Sequence, residues 1–584
     1  MSILRSFVCT FMCFHVYGIL ALDFNVTFLH TNDVHSRFEQ TSDAFGGKCT
    51  DEMALVGRCV GGIARRAAVV KKIRERTDNV MLLDAGDQFQ GTMWYYVYKG
   101  LATSHFMNTL KYDAMSLGNH EFDDGIANLL SFLDNVTFPI LSCNINADGE
   151  DAFQGKVGKS AIIMLDGTRV GVVGYTLSST PDFSNTGRLT FEDEVEAVQK
   201  EVNILLASDV NIIVALGHSG IEVDLDIANR VEGVDIVIGG HTNTFLYTGS
   251  PPSSETPYDV YPIVVHPNYD TRRTVLVVSA YAYGKYLGRL DVTFTEEGNV
   301  KTFSGNPILL DHSVATDPII ASQVEDWGVK VDEVGAEVIG QTFVTLGDEA
   351  CGLRECNYGN LITDAMVAAF LQMPNELQWS NASIAITTAG SIQSPIKPGE
   401  ITVGNVRQTF PYGNTIDTIE MTGEHLLQAL EHSISGHDGQ TRSNDFLQVA
   451  GLRVLYDVTR PAGDRVTDVQ VRCSRCTEPS YDKLKETTVY RIVTNSYIAG
   501  GGSGYSMVRD NKLSQTKGPL DMDIMINYIR AKSPLTTALE SRITILSDSD
   551  CPPCNSAVTS FNFLMTRVVL LGLWLCILDK SLIQ

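Results

Sequence analysis

Five short segments in the first half of the chain carry side chains that bind hard or borderline metal ions. They are Thr31-Asn32-Asp33-Val34-His35, Asp84-Ala85-Gly86-Asp87, Gly118-Asn119-His120-Glu121-Phe122-Asp123, Gly217-His218-Ser219-Gly220 and Gly239-Gly240-His241-Thr242-Asn243. Imidazole and carboxylate suit zinc and similar divalent ions. A carboxylate has two oxygens, so a single Asp can bridge two ions, and Asp87 is the candidate for that role. Two ions about 4 Å apart can activate a water and clamp a phosphoryl oxygen. The candidate metal ligands are Asp33, His35, Asp87, Asn119, His218 and His241. His120 follows the candidate ligand Asn119, and Asp123 stands three residues further on. A His held by an Asp is a suitable proton donor to a phosphate or its leaving group. A lone Gly-His or Gly-Asp pair is more often a turn than a ligand. Five such segments standing in one half of the chain point to a shared metal site.

The elements that must position these residues are legible around them. Four of the five segments follow directly on an apolar run, at residues 26–29, 80–83, 212–216 and 234–238. Stretches long enough for helices separate the runs, which suggests an α/β layered domain. In an open α/β sheet, ligands gather at the carboxyl ends of the strands, so one edge can collect all six ligands. Further on, Ile320, Val324, Trp327, Val331 and Val334 are spaced 4, 3, 4 and 3 residues apart, one apolar stripe on a helix. Asp317-Pro318 stands before it as an N-cap and first-turn pair. We read 313–335 as a helix joining two domains; the alternative is an ordinary surface helix of one domain. A second α/β-type region runs to about Leu546, with a glycine-rich turn at Gly500-Gly501-Gly502-Ser503-Gly504.

The length of 584 residues suggests about four domains, or two to three larger ones. With 44 basic and 69 acidic side chains the net charge is −25. Such a surplus of carboxylates repels phosphodiester backbones and argues against nucleic acid as the partner. A hydrophobic share of 44% with 19% charged residues suits a globular chain with a large core. Residues 1–21 combine Arg5, an apolar run and the small residue Ala21, the pattern of a secretory signal peptide; a buried N-terminal helix is the alternative. Residues 568–578 are apolar but short for a membrane span, which needs about 20. Small and polar residues upstream (Ser547, Asp548, Ser549, Asn555, Ser556, Ala557) complete the pattern of a GPI-attachment signal over 547–584. A spanning helix and a tail with neither role are the alternatives there. Of 12 cysteines, Cys9, Cys13 and Cys576 lie in these end segments. The pairs Cys49/Cys59, Cys351/Cys356, Cys473/Cys476 and Cys551/Cys554 are candidate local disulfides of an oxidising compartment, with Cys143 left over. The competing reading is a zinc cluster built from the two CxxC pairs. Asn25, Asn135 and Asn381 stand in glycosylation sequons. Together these place the chain in the secretory pathway, at the cell surface or secreted.

The order of the five segments resembles the calcineurin-like metallophosphoesterases. The fuller strings LHTNDVHSRFEQ, LLDAGDQFQGT, SLGNHEFD, ALGHSG and GGHTNTFLYTGSPPS are similar to those of the ecto-5′-nucleotidases, and RECNYGNLITDAM and FLQVAGLRVLYD extend the similarity into the second half. The resemblance implies a four-layer α/β-β/α metallophosphoesterase domain at 22–312. A linking helix at 313–335 and a second α/β nucleotide-binding domain at 336–546 follow. It implies two zinc ions on the six ligands, a catalytic dyad of His120 and Asp123, and a base held between Tyr412 and Tyr497. It also implies rotation of the domains about the linking helix, a GPI anchor and, as in vertebrate members, a homodimer that makes adenosine from AMP. Secreted relatives in blood-feeding arthropods act as apyrases or nucleotidases. The sequence departs from the family where Thr388 and Gln393 replace an Asn and a phosphate-binding Arg, where Gly352 replaces a second such Arg, and where Ser503 replaces a ribose-binding Asp. A family disulfide is missing at both of its ends, Thr363 and Ala385. Arginine offers a charged fork that Gln cannot; Arg37 and Arg354 stand near enough in sequence to compensate. The expected function is an extracellular two-metal phosphohydrolase of nucleoside 5′-phosphates, AMP first, using metal-activated water. The alternatives are an apyrase acting on ATP and ADP, or a weakly active nucleotide-binding protein.

Overall fold

The strand Phe24–Thr31 is buried from Val26 onward. Its side chains alternate as a period of two requires: Val26 and Phe28 enter one core and Leu29 another. It pairs in parallel with Val80–Asp84, which continues in parallel to Ala114–Ser116 and Ile140–Leu141. On its other side lie the antiparallel strands Tyr286–Phe294 and Val300–Gly305. A second sheet has Thr168–Thr176, Ile212–His218, Ile236–Gly239 and Val275–Val278 in parallel, edged by antiparallel Ser160–Leu165 and Ile263–Val265. The computed structural model describes residues 23–43, 46–371, 380 and 382–547. The expected leader, the C-terminal tail with Cys551 and Cys554, and the sequon at Asn381 lie outside the described residues.

The two sheets share a core in which Val26, Phe28, Met81 and Leu83 meet Val172, Val214, Leu216 and Ile238. The outer face of the first sheet is covered by helices including Ile63–Arg74 and Gly100–Leu110. The outer face of the second is covered by Glu194–Leu206 and Ile221–Arg230. The result is four layers, α/β-β/α. Such strands, apolar on both faces, are what a doubly covered parallel sheet demands.

Helix Pro318–Gly335 is capped by Asp317, whose side chain accepts from the amides of Ile319 and Ile320. Ile320, Val324, Trp327 and Val331 of its apolar stripe join the core beneath the first sheet. Trp327 stacks on His105 with ring centroids 4.7 Å apart. The same helix touches Val403–Thr409 of the second region. That region holds a five-stranded sheet ordered Leu447–Ala450, Ile384–Thr388, Val489–Asn495, Ile416–Thr422, Ser514–Thr516. A four-stranded sheet accompanies it, with Val466–Arg472 and Leu452–Asp457 in its middle. One buried core includes Ala385, Ala450 and Val493 of the five-stranded sheet, and a second joins its Ile384, Ile419 and Ile492 to Leu452, Val454 and Val469 of the four-stranded sheet. Disulfides join Cys49 to Cys59, Cys351 to Cys356 and Cys473 to Cys476, and Cys143 is free and buried. The pair Cys473/Cys476 is thus a disulfide here and not half of a zinc cluster. No helix among the described residues is long and apolar enough to cross a membrane.

Candidate active site

Register aligns the strand ends that carry the chemistry. Thr31 pairs with Asp84, Asp84 with Met115, and Gly217 with Gly239. Asp33, Asp87, Asn119, His218 and His241 each lie at the carboxyl end of a parallel strand or within three residues of it. The third segment follows Ala114–Ser116, a strand of three residues that is too short to show a period in the sequence. Asp33, His35, Asp87 and His241 all hold positive φ, at 50°, 52°, 58° and 79°. Such backbone costs about 1–3 kcal/mol per residue and persists where the surroundings over-determine it. Close approach explains the glycine at 118, where a Cβ would stand 2.1 Å from Asp87 Oδ1.

Five of the six candidate ligands form two overlapping clusters, Asp33/His35/Asp87 and Asp87/His218/His241, with ligand atoms within 4.8 Å of one another in each. Asp87 belongs to both. Asn119 joins the second cluster, its Oδ1 lying 3.0 Å from His241 Nδ1. Backbone carbonyls fix two tautomers, since a carbonyl can only accept. His218 Nδ1 donates to Ala85 O at 2.6 Å and His35 Nδ1 to Phe89 O at 3.0 Å. The Nε2 atoms are thereby left to face the cluster, as in metal-binding histidines. His218 Nε2 is fully buried with no hydrogen-bond partner, 3.0 Å from Asp87 Oδ2 and 3.8 Å from Asp33 Oδ1. A nitrogen set among two carboxylates calls for a cation there, a proton or a metal ion, so the donor set fits divalent metal.

The electrostatics agree. Burial lifts Asp33 to about 6. Burial would also lift Asp87, but His218, His120 and His35 outweigh it and hold that carboxyl well below its ordinary range. His218 rises to about 10 against the cost of burial because Asp87 and Asp33 face it. Burial pushes His35 down to about 3; burial, with His218 adding to it, pushes His241 down to about 4.

His120 Nδ1 and Asp123 Oδ2 are 2.6 Å apart, and the Ser184 hydroxyl donates to Asp123 Oδ1 at 2.6 Å. The His120 amide donates to Asp87 Oδ1 at 3.0 Å, tying the pair to the shared carboxylate. Burial opposes a charge on His120, but Asp123 and Asp87 prevail and raise it to about 10. The imidazole therefore holds a proton at neutral pH with Nε2 free to give it.

Supporting residues escape the sequence reading. Glu121 accepts from the amides of Asp87, Gln88, Phe89 and Gly118 at 2.6–3.1 Å, so one buried carboxylate shapes the Asp87 loop. Its place beside His120 is the available signal. Asn32 donates to Asp33 Oδ2 at 2.8 Å. Ser184 carries no local signal at all.

The second region reaches the Asp87 loop. Tyr412 and Tyr497 remain 44% and 47% exposed. Tyr412 lies within electrostatic range of Tyr497, Tyr283 and Arg37. Its neighbour Gly413 abuts Gln90 of the Asp87 loop, where an added Cβ would stand 2.6 Å from Gln90 Oε1. The substituted positions have settled into local contacts. Thr388 Oγ1 lies 3.1 Å from Ser391 Oγ, Gln393 Nε2 donates to Gly390 O, and Ser503 O accepts from His432 Nε2 at 2.8 Å. A Cβ at Gly352 would stand 2.4 Å from Arg442 Cγ, so Arg442 fills the space above it. Arg37 donates to Gly46 O and His35 O and lies over the Tyr283 ring at 4.2 Å, whereas Arg354 is exposed.

Known proteins share this build. The family model for the calcineurin-like phosphoesterase matches residues 26–245, and that for the 5′-nucleotidase C-terminal domain matches residues 338–510. A 5′-nucleotidase of Bos taurus is 46% identical over 560 residues, covering 94% of this chain and 96% of its own. A snake venom 5′-nucleotidase of Naja atra is 45% identical, covering 90% and 99%. Among solved structures, a 5′-nucleotidase precursor from Thermus thermophilus superposes with a TM-score of 0.65 at 36% identity, over 90% of this chain and 100% of that one.

Proposed function

This chain belongs to the 5′-nucleotidase family, and on that premise we propose how its own residues perform the reaction. The chain is a metal-dependent phosphoesterase that hydrolyses nucleotide 5′-phosphates. The finer reading is a two-metal, zinc-preferring AMP phosphohydrolase working outside the cell. The single observation that carries it is the pair of ligand clusters sharing Asp87, with His120 and Asp123 at their rim.

Asp33, His35 and Asp87 would hold one ion, and Asp87, Asn119, His218 and His241 the other. When bound, the ions supply a nucleophilic water and offset phosphoryl charge. His120, held charged and oriented by Asp123, gives a proton or hydrogen bond to the phosphoryl oxygen or the departing 5′-oxygen. Tyr412 and Tyr497 present ring faces for the base, and stacking tolerates either purine. Arg37 stands near Tyr412 as a positive charge on the metal side of the cleft. A GPI anchor and a homodimer belong to the same reading through the family.

The test is phosphate release from AMP, ADP and ATP by residues 22–546, with and without chelator, beside His120→Ala. Zinc-dependent release from AMP that His120→Ala abolishes is the expected result. Release from ADP and ATP alone would replace this reading with an apyrase. No release from any of the three, with two ions bound, would overturn the phosphohydrolase reading.

A further inference from the structure

We propose that Lys517 is a positioning residue for the His120–Asp123 pair, so that docking of the second domain sets the geometry of the dyad. The inference rests on the phosphohydrolase reading above only for its activity readout. Lys517 follows the strand Ser514–Thr516 in the second domain. Its Nζ donates to Pro181 O at 2.6 Å and to Ser184 O, both in the first domain. Ser184 is the residue whose hydroxyl donates to Asp123 Oδ1 at 2.6 Å, and the other oxygen of Asp123 holds His120 Nδ1 at 2.6 Å. An unbroken series of contacts therefore runs from one domain into the dyad of the other.

Both ends of this bridge are anchored. In the second domain, buried Asp417 accepts from the Gly518 amide at 3.2 Å and from Gln515 Nε2 at 2.7 Å, so it holds the backbone after Lys517 and a side chain before it. In the first domain, Pro181 O and Ser184 O belong to the short helix Thr180–Phe183 and its C-cap, whose carbonyls lack helical partners. An ammonium group with three donors suits two such carbonyls; burial and Lys512 oppose its charge, and Asp417, Asp123 and Asp182 favour it. The helix Ser496–Ala499, which carries Tyr497, packs on the same segment. Segment 180–184 is thus held from the second domain by the element that presents a ring to the cleft and by Lys517. Without Lys517, Ser184 O loses this hold, and the Ser184 hydroxyl is free to leave Asp123.

The experiment is a cycle of Lys517→Met, Ser184→Ala and the double variant, with Lys517→Arg as the conservative control and thermal melting to verify folding. With AMP, Lys517→Met should lower kcat about 10-fold, in the range of an outer-shell partner, with KM changed less than about 2-fold. In the Ser184→Ala background it should have no further effect, because coupled residues are non-additive. Lys517→Arg should keep most of the activity. Hydrogen exchange gives a readout independent of turnover: Lys517→Met should speed exchange in 178–187 and 118–124. Multiplicative losses in the cycle, a rise in KM with kcat intact, or unchanged exchange in both segments would each overturn the proposal. A parent protein that does not hydrolyse AMP would defeat the AMP reading, and the exchange result would still decide the role of Lys517.

Discussion

The two faces of the cleft are built by opposite rules. The metal-side face consists of buried, charged side chains at the ends of strands from two packed sheets. Asp33, Asp87 and His218 are each 2% exposed or less. Each has supporting contacts behind it: Asn32 on Asp33, Glu121 under the Asp87 loop, and Ala85 O on His218. The face contributed by the second region has half-exposed rings, Tyr412 in a loop and Tyr497 on the helix Ser496–Ala499, and positions engaged in local contacts. A face whose charges are buried and mutually dependent tolerates little change, because each charge removed leaves its partners unpaired. A face of exposed rings and loop ends can drift one contact at a time. In this chain the first has all six candidate ligands, while the second has Gly352, Thr388, Gln393 and Ser503.

The comparison predicts a graded series. Asp87→Asn strikes both clusters at once and should lower kcat/KM for AMP by about 10⁴-fold or more, given that bound metal supplies the nucleophile. Metal analysis of the variant should show both ions weakened, and retention of two tight ions would deny Asp87 its shared role. His120→Ala should cost about 10²–10⁴-fold in kcat, the range of a positioned acid, with metal content unchanged. If metal is lost with it, His120 supports the cluster and does not act on substrate.

On the other face, Tyr412→Ala and Tyr497→Ala should each raise KM for AMP about 10-fold while kcat moves little, as expected for one stacked ring. A fall in kcat with KM fixed would place that ring in the chemistry and blur the division between the faces. The smallest effect concerns stability. Asp224 lies behind the metal side, buried, with Tyr175 donating to it at 2.6 Å. Burial lifts it from 3.8 to about 8. The native state therefore binds this proton more tightly than the unfolded chain. The resulting stability is fully present below about 4 and is lost as pH rises through about 8. Asp224→Asn should flatten the decline in melting temperature between about pH 5 and about pH 9, by a few degrees. An unchanged profile would mean that other groups govern it.

Much of the metal side can be read locally. Ligand types directly after apolar runs, in Thr31–His35 or Gly217–Gly220, express the strand and the turn that ends it, and both are short-range properties. The third segment is legible from its residue types alone, because the strand before it has three residues. Glu121 is visible as a letter but not as a function. That backbone amides converge on its carboxylate depends on a loop 33 residues away in the chain.

Residue types alone therefore determined which atoms can bind metal, which His has an acidic partner three residues on, and that the helix at 318–335 carries an apolar stripe. Only the tertiary structure decided that Asp87 stands in two clusters, that Arg442 occupies the space above Gly352, and that Lys517 reaches Ser184 from far along the chain. The reason is physical. Chemical type and local backbone preference are carried by neighbouring residues, whereas convergence of atoms from distant segments is fixed by sheet register and domain packing, to which every residue of the core contributes.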